Sequence, residues 1–405
     1  MQRKWTGAGI TLILIFVVSA YLRFDFLSSA VHNNSHDTVN YDIMVRQLLE
    51  KGVYGYKSEE PNAQVSPGFP LFMAASYLVA DLINKDPMTL IRYMQAIFSL
   101  VTLWLIYRIA KKLGGDIAAL SAAAVAAVYP PFIWTNGAVL TESLATLLFM
   151  TYVYLQLLAF EKNNWKLTLS AGIMIGLTVL TRPEFLVVLP ASFALHLFWH
   201  RKAKMTMKLM LIAGIGTGIV LSPWLIRNLV TLHEPIITST QVNPFAAGTY
   251  PNKNYDDGLV DRAGKTQMEV AKERLRIGFT EHTGTYLKWY TIGKLQYIYG
   301  KMFGGSGHKP YYSVIPFKSY LHLAIVMLSI VSSVVLLRNW RKPAALLVVL
   351  VLTITVMRLA FVPEYRYNVI TMPLLIVMDS LLVAHMLGWI GRRFKWQHLI
   401  GRTAP

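Results

Sequence analysis

The 405-residue chain contains no cysteine and little charge, Asp, Glu, Lys and Arg together making up 15% of it. The first absence excludes a disulfide framework, a thiolate zinc site and a cysteine nucleophile, and it leaves the compartment unreadable from redox chemistry. The second, set against 54% hydrophobic residues and a mean hydropathy of +0.43, excludes an ordinary soluble protein. Acidic residues are the scarcer sign, 21 against 39 Lys and Arg, for a formal net charge of +18. That excess is not gathered on one polar face. It is divided into short clusters between apolar runs, which is how a membrane topology signal is written, and no nucleic-acid partner is expected. With no thiol present, any catalysis falls to carboxylates, His, Arg, Lys or Tyr.

A helical span takes about 20 apolar residues. After a basic start at Arg3 and Lys4, apolar runs occupy 7–22, 67–83, 88–110, 117–129, 138–160, 167–180, 185–199, 209–229, 320–337, 344–361 and 369–390. Small residues at Ser19 and Ala20 invite a cleaved signal peptide, but apolar character continues through Phe26, so a retained first span is expected. Basic clusters stand at Lys111 and Lys112; at Lys162 and Lys166; at Arg201, Lys202, Lys204 and Lys208; at Arg338, Arg341 and Lys342; and at Arg392, Arg393 and Lys395. All belong on the cytoplasmic side. If 67–83 crossed the membrane, Lys111 and Lys112 would fall outside and every later cluster would invert. That run opens with Pro67, Gly68 and Pro70 and ends at a polar Asn84-Lys85-Asp86-Pro87, as a re-entrant or interfacial helix does. The expected fold class is an all-α polytopic membrane protein of about ten transmembrane helices, with both termini inside and amphipathic and re-entrant helices in the first outer loop. Outer segments then cover 27–87, 130–141, 181–184, 231–319 and 362–366. The chain divides into an N-terminal transmembrane catalytic module (1–230), an extracytoplasmic loop domain (231–319) and C-terminal transmembrane helices (320–405).

The outer segments hold the informative polar residues. In His36-Asp37-Thr38-Val39-Asn40-Tyr41-Asp42 the apolar spacing from Thr38 onward predicts a short amphipathic helix ending at Lys51-Gly52, with Asp37 at its N-cap. Capping alone accounts for Asp37 as well as a reactive carboxylate does. Glu142 opens an apolar helix, where an acid is costly unless it complements the helix dipole or has a partner. Arginines stand in Thr181-Arg182-Pro183-Glu184, in Pro223-Trp224-Leu225-Ile226-Arg227-Asn228 and in Glu364-Tyr365-Arg366-Tyr367. Each alone can snorkel to the headgroups. Acids and arginines converging on one face would instead bind a phosphate leaving group and activate a hydroxyl.

Arg23 in the first span, the Asp-x-x-x-Tyr segment at Asp37, Ser66-Pro67-Gly68-Phe69-Pro70, Tyr129-Pro130, Thr141-Glu142, Thr181-Arg182-Pro183, Pro223-Trp224-x-x-Arg227-Asn228 and Arg366-Tyr367 occur in this order. In that order the chain resembles the GT-C glycosyltransferases of the dolichyl-phosphate-mannose protein mannosyltransferase and lipid A aminoarabinose transferase type, from Arg23 to about Pro373. The resemblance implies a GT-C-like bundle and a polyprenyl-phosphate sugar donor used on the outer face, with a glycan, lipid or protein as acceptor. It makes Asp37 the first-loop catalytic carboxylate, Glu142 the second-loop acid, and Arg366 with Tyr367 the pair before the last span. The sequence departs from the family at Thr38, where relatives often carry Glu; the loop's second carboxylate is displaced to Asp42.

Inverting transfer from a lipid phosphate needs a base for the incoming hydroxyl and positive charge for the departing phosphate. Asp37 is the expected base with Asp42 as substitute, and Arg366, Tyr367, Arg227 and Arg182 the expected donor-phosphate contacts. No cofactor is required and a divalent cation is possible, although Asp256, Asp257 and Asp261 fit no EF-hand spacing. Segment 231–319 reads as a small helical domain with a charged face, followed by a glycine-rich stretch at 300–307 with His308 and Lys309 near the lipid phosphate. The competing class is a secondary transporter or lipid flippase, which places ionisable residues in mid-span as Asp379 is placed, yet no two halves of the chain repeat. A multi-pass protein of the cell membrane with an outward-facing site is the expectation.

Overall fold

A computed structural model describes residues 7–305 and 318–393, the side chains of 391–393 excepted. Arg3, Lys4, His308, Lys309 and Lys395 lie outside the described residues. The chain forms helices α1 (Gly7–Ser29), α2 (His36–Lys51), α3 (Gly68–Leu82), α4 (Pro87–Val128), α5 (Pro130–Trp134), α6 (Thr141–Lys162), α7 (Trp165–Thr181), α8 (Val188–His200) and α9 (Ala203–Thr231). There follow α10 (Asn243–Gly248), α11 (Gln267–Glu281), α12 (Thr283–Lys288), α13 (Lys294–Tyr299), α14 (Lys318–Arg338), α15 (Ala345–Arg358) and α16 (Met372–Arg393). An all-α, multi-helix membrane architecture is thus observed. Among the described residues six helices are long and apolar enough to cross a bilayer: α1, α4, α6, α9, α14 and α16. The count falls below ten because α7, α8 and α15 are short, and because two apolar runs merge into the 42 residues of α4.

The merger is a hairpin. Gly115 has φ 76° and ψ −165°, outside helical space, which breaks α4 after Gly114. Arg23 of α1 donates to Ser99 Oγ (2.8 Å) before the break and to the Ala127 carbonyl (3.0 Å) after it. On a straight helix those acceptors would stand about 42 Å apart, so the two arms lie side by side. The second arm is lined with Ala118, Ala119, Ala122, Ala123, Ala126 and Ala127, all buried, and packs against α16. Small side chains let helix axes approach closely where the solvent is lipid.

Both ends of α3 lie at the same end of the bundle. Gly68 touches the Leu180 carbonyl at the C-terminus of α7, while four residues beyond Leu82 the chain enters α4, whose Arg92 donates to the Gly137 carbonyl ahead of α6. The helix therefore lies along that end of the bundle, and it presents Leu71, Leu78, Val79 and Leu82 outward. At the opposite end basic clusters meet. Lys112 pairs with Glu161 beside Lys162, and Trp199 donates to the Trp340 carbonyl (2.6 Å) next to Arg341. Asp379, the carboxylate expected in mid-span, accepts from Ser329 (3.1 Å) and Ser332 (2.7 Å), so that α14 and α16 are clasped by a satisfied polar network.

After α9 the described residues form a small layer of short helices, α10 to α13. Thr266 and Glu269 make a capping box for α11. Arg274 grips Asp257 with both nitrogens (2.8 and 2.5 Å) over the Tyr250 ring, and Asp261 accepts the Ala263 N–H. Asp257 and Asp261 thus have protein partners, and among the described residues no group of three or more His, Asp or Glu side chains could hold a metal ion. Lys294 of α13 docks this layer on the membrane helices by donating to the carbonyls of Leu359 (2.6 Å) and Phe361 (3.1 Å).

Two consequences follow for stability. A Cβ on Gly172 of α7 would stand 2.1 Å from the Ala213 carbonyl oxygen of α9, whereas one on Gly214 meets nothing within 4 Å. Gly172→Ala is expected to cost about 1–3 kcal/mol and to lower the thermal unfolding midpoint in detergent, while Gly214→Ala, gaining helix propensity, leaves it unchanged or raised. Burial pushes the Lys294 ammonium down to about 7 from an ordinary value of 10.5. Between those two values the unfolded chain binds a proton that the folded chain does not, so stability rises with pH across that window and is flat below it. Unfolding midpoints measured from pH 6 to 10 should show the native protein gaining on Lys294→Met as pH rises; parallel profiles would show that Lys294 does not titrate there.

Candidate active site

Helix α2 starts where Ser35, in an extended conformation, accepts the Thr38 N–H on its hydroxyl (3.2 Å). The N-cap is therefore Ser35 and not Asp37, as expected from the sequence, because a cap must precede the first helical residues and Asp37 already lies within the first turn. Relieved of capping, the Asp37 carboxylate accepts from Arg366 Nη1 at 2.7 Å. Thr38, the departure from the family pattern, is 1% exposed and donates to the Val139 carbonyl (3.1 Å). A carboxylate could not donate there, and the bond ties α2 to the turn that delivers α6.

Glu142 stands in the first turn of α6 and is 0% exposed. Its Oε1 accepts from Arg182 Nη2 at 2.8 Å and lies 3.8 Å from Arg366 Nε. Helix-dipole complementation does not exhaust its role, since two guanidiniums from distant segments converge on one buried oxygen. Arg182 is placed by Pro183. A residue preceding proline is driven out of helical space, and here φ −145° and ψ 104° end α7 and turn the side chain under α6. Its other nitrogens donate to Thr141 Oγ1 (3.0 Å) and Glu184 (3.0 Å), which uses every face of the fork. Arg366 enters from the short helical turn Tyr365–Ile370, and the Tyr367 ring lies 5.6 Å from Arg366 and 4.9 Å from Arg182. Burial disfavours the charge on both arginines, but Glu142 with Tyr367 and Asp37 around Arg366, and Glu142 with Glu184 around Arg182, outweigh it and hold both above their ordinary value. Burial also pushes the hydroxyls of Tyr41 and Tyr367 up, so both are neutral donors.

These residues line a cavity of about 220 Å³ at the end of the bundle where α6 begins. Of the residues expected from the sequence, Asp37, Glu142's neighbours Thr141 and Arg182, Arg366 and Tyr367 border it. Two others do not. Asp42 turns away along α2 to accept from Arg46 (2.9 Å) and Tyr77 (2.6 Å), because five positions on from Asp37 a helix has rotated by more than a full turn. Arg227 is spent on the first outer loop, donating to the carbonyls of Tyr54 (3.1 Å) and Asn62 (3.0 Å). With Asp37 and Asp42 engaged by different partners, the first loop offers no paired-carboxylate metal site, and no step is derived through a metal.

The structure also adds residues that sequence reasoning passed over. Gln64 and Ser66 of the first loop, and Ser239, Gln241 and Pro244 of the segment after α9, complete the wall. Arg358 is the other addition. It is the last residue of α15 and 2% exposed, and it was absorbed into the apolar run 344–361, of which it is the one charged member. A lone ionisable residue in such a run was the signal that could have found it.

No curated protein matches the sequence. Residues 64–226 match the family model of dolichyl-phosphate-mannose-protein mannosyltransferases. Among solved structures, the fold is similar to the oligosaccharyltransferase of Archaeoglobus fulgidus in complex with Zn and sulfate: TM-score 0.60, 13% identity, covering 96% of this chain and 50% of that one. The same enzyme tethered to an acceptor peptide gives TM-score 0.60 and 13% identity over 97% and 51%. ArnT from Cupriavidus metallidurans bound to undecaprenyl phosphate is also similar, at TM-score 0.46 and 12% identity over 94% and 79%. The chain spans about half the length of the oligosaccharyltransferase it matches. The match to the dolichyl-phosphate-mannose-protein mannosyltransferase model thus covers residues 64–226, and over nearly its whole length the chain has a fold similar to that of the Archaeoglobus fulgidus oligosaccharyltransferase.

Proposed function

We propose that the protein moves a sugar from a polyprenyl-phosphate-linked donor to an acceptor hydroxyl on the extracytoplasmic face of the membrane, with inversion. One observation carries the reading: a half-exposed carboxylate, Asp37, is held at the cavity by Arg366, which itself leans on the buried Glu142–Arg182 pair. The family description names a lipid-phosphate sugar as donor, which supports the donor class. The acceptor oxygen attacks the anomeric carbon as the bond from that carbon to the phosphate oxygen breaks. The acceptor's proton passes to Asp37, and the polyprenyl phosphate leaves with the electron pair. Arg366 orients the base, while Arg182, Arg366 and Tyr367 present positive charge and a neutral hydroxyl toward the departing phosphate. Water is limited by Tyr41, Leu140 and Phe361 in the wall.

The membrane placement belongs to the same reading. Helix α6 runs from Thr141 at the cavity to Lys162 in a basic cluster, 22 residues, or about 33 Å, which matches the hydrocarbon thickness. Counting both arms of α4 as spans, and adding α7, α8 and α15 to the other long helices, gives ten spans with the cavity outside. Residues 1–230 and 320–405 then form the transmembrane modules, and 231–319 roofs the site.

Asp37→Asn keeps a hydrogen bond to Arg366 but cannot take a proton. Sugar transfer from a synthetic polyprenyl-phosphate donor should fall about a hundredfold or more, with an unfolding midpoint close to that of the native protein. A folded Asp37→Asn protein retaining half its turnover would falsify the base assignment. Glu142→Gln should also lose turnover, by loosening Arg182 and Arg366 together. The topology is tested in this cysteine-free background by single cysteines at Lys57 and Lys85. Both should react with an impermeant reagent from the outside, and reaction from opposite sides would sink the ten-span arrangement.

A further inference from the structure

Arg358 is the outlier of the cavity. Its Nε, Nη1 and Nη2 have no hydrogen-bond partner among the described residues, although the side chain is buried. The Phe185 and Tyr367 rings lie 5.9 and 6.0 Å from its guanidinium, and neither supplies an acceptor to the plane of the fork. An arginine cannot shed its proton to escape this situation, and five N–H donors withheld from water are costly. The neighbouring cations differ sharply. Arg182 is saturated by Glu142, Glu184 and Thr141, and Arg366 is taken by Asp37. The formal charges of Arg182, Arg358 and Arg366 are matched in number by Asp37, Glu142 and Glu184. What the cavity lacks at Arg358 is therefore not counter-charge at a distance but oxygen acceptors within reach.

We propose that Arg358 is the phosphate-holding residue of this cavity, its planar fork receiving two non-bridging oxygens of a phosphate ester that enters the cavity as ligand. Arg182 and Arg366 are then the frame that positions the carboxylates, and Arg358 is the free hand. A phosphate suits the site because it presents oxygens in a geometry matched to the guanidinium, and because the side chain is already buried in the folded protein. The identification of the carrier as a polyprenyl chain rests on the proposed function; the phosphate site itself rests on the unsatisfied fork.

The test is direct binding to the purified full-length protein in detergent, with three probes: a short-chain polyprenyl phosphate, the corresponding uncharged polyprenol and inorganic phosphate. The native protein should prefer the polyprenyl phosphate over the polyprenol by tenfold or more. Arg358→Gln should abolish that preference, and Arg358→Lys, which keeps the charge without the fork, should retain part of it. Without ligand, Arg358→Gln should unfold at the same temperature as the native protein or higher, because a buried guanidinium whose N–H groups have no acceptor has been removed. A lower midpoint would mean that Arg358 makes structural bonds and would overturn the inference. Should Arg358→Gln not fold, Arg358→Met is read in the same way. An undiminished preference in the folded variant would overturn the assignment while leaving a lipid-phosphate donor in place. Phosphate binding that depends on Arg358, with no preference for the polyprenyl carrier, would support the site and refute the donor.

Discussion

Glu142 is a carboxylate wholly withdrawn from water, and the arrangement around it follows from what such a group requires. An ionised acid at the mouth of a membrane bundle is tolerable only with good hydrogen bonds to a cation, and it obtains them from Arg182 at 2.8 Å, with Arg366 beyond at 3.8 Å. That demand brings the end of α7 and the turn before α16 to the start of α6. Once Arg366 is there, its outer face is available to Asp37, and the first outer loop is drawn over the bundle. The catalytic carboxylate proposed here is thus held at one remove by a buried ion pair, a structure that favours a single geometry over several.

The helix packing serves the same end by small means. Alanines along the second arm of α4 and glycines between α7 and α9 let these helices approach without long side chains between them. Thr217 Oγ1 can then reach the Gly172 carbonyl (3.0 Å) across the α7–α9 contact, adding a hydrogen bond in a medium with no water to compete. The layer after α9 is not a free appendage. Pro244 accepts the Val362 N–H (2.7 Å), Ala63 accepts the Thr240 N–H (2.9 Å), and Lys294 holds the carbonyls of Leu359 and Phe361. The bonds to Leu359, Phe361 and Val362 fall between Arg358 and Arg366, so this layer is tied to the segment that carries two of the cavity's arginines.

Much of this was legible in the sequence, and the parts that were not have a common cause. Apolar runs and the Pro-Gly-Phe-Pro opening of α3 are local signals whose physics acts over a few residues, and they led to the separate α3, the Lys51-Gly52 helix end and the placing of Asp37, Glu142, Arg182 and Arg366 at helix ends. The cap of α2 was misplaced by two residues because Ser35 and Asp37 are both good capping types, and only backbone conformation distinguishes them. The short α7 and α15 and the merged α4 concealed the number of crossings, since hydropathy reports composition rather than where a chain reverses.

What the sequence by itself determined is the class of molecule, the spacing of its charged clusters between apolar runs, and the supply of acids and arginines at the helix ends. Which arginine meets which carboxylate was decided by tertiary structure alone. Asp37 and Arg366 lie 329 positions apart, and their pairing depends on how α2, α6 and α16 are rotated and set against one another. The same packing removed Asp42 and Arg227 from the cavity and left Arg358 in it without an acceptor. Helical periodicity states which residues share a face, but it does not state what stands opposite that face, and a charged group inside a membrane takes its role from its neighbour across the gap.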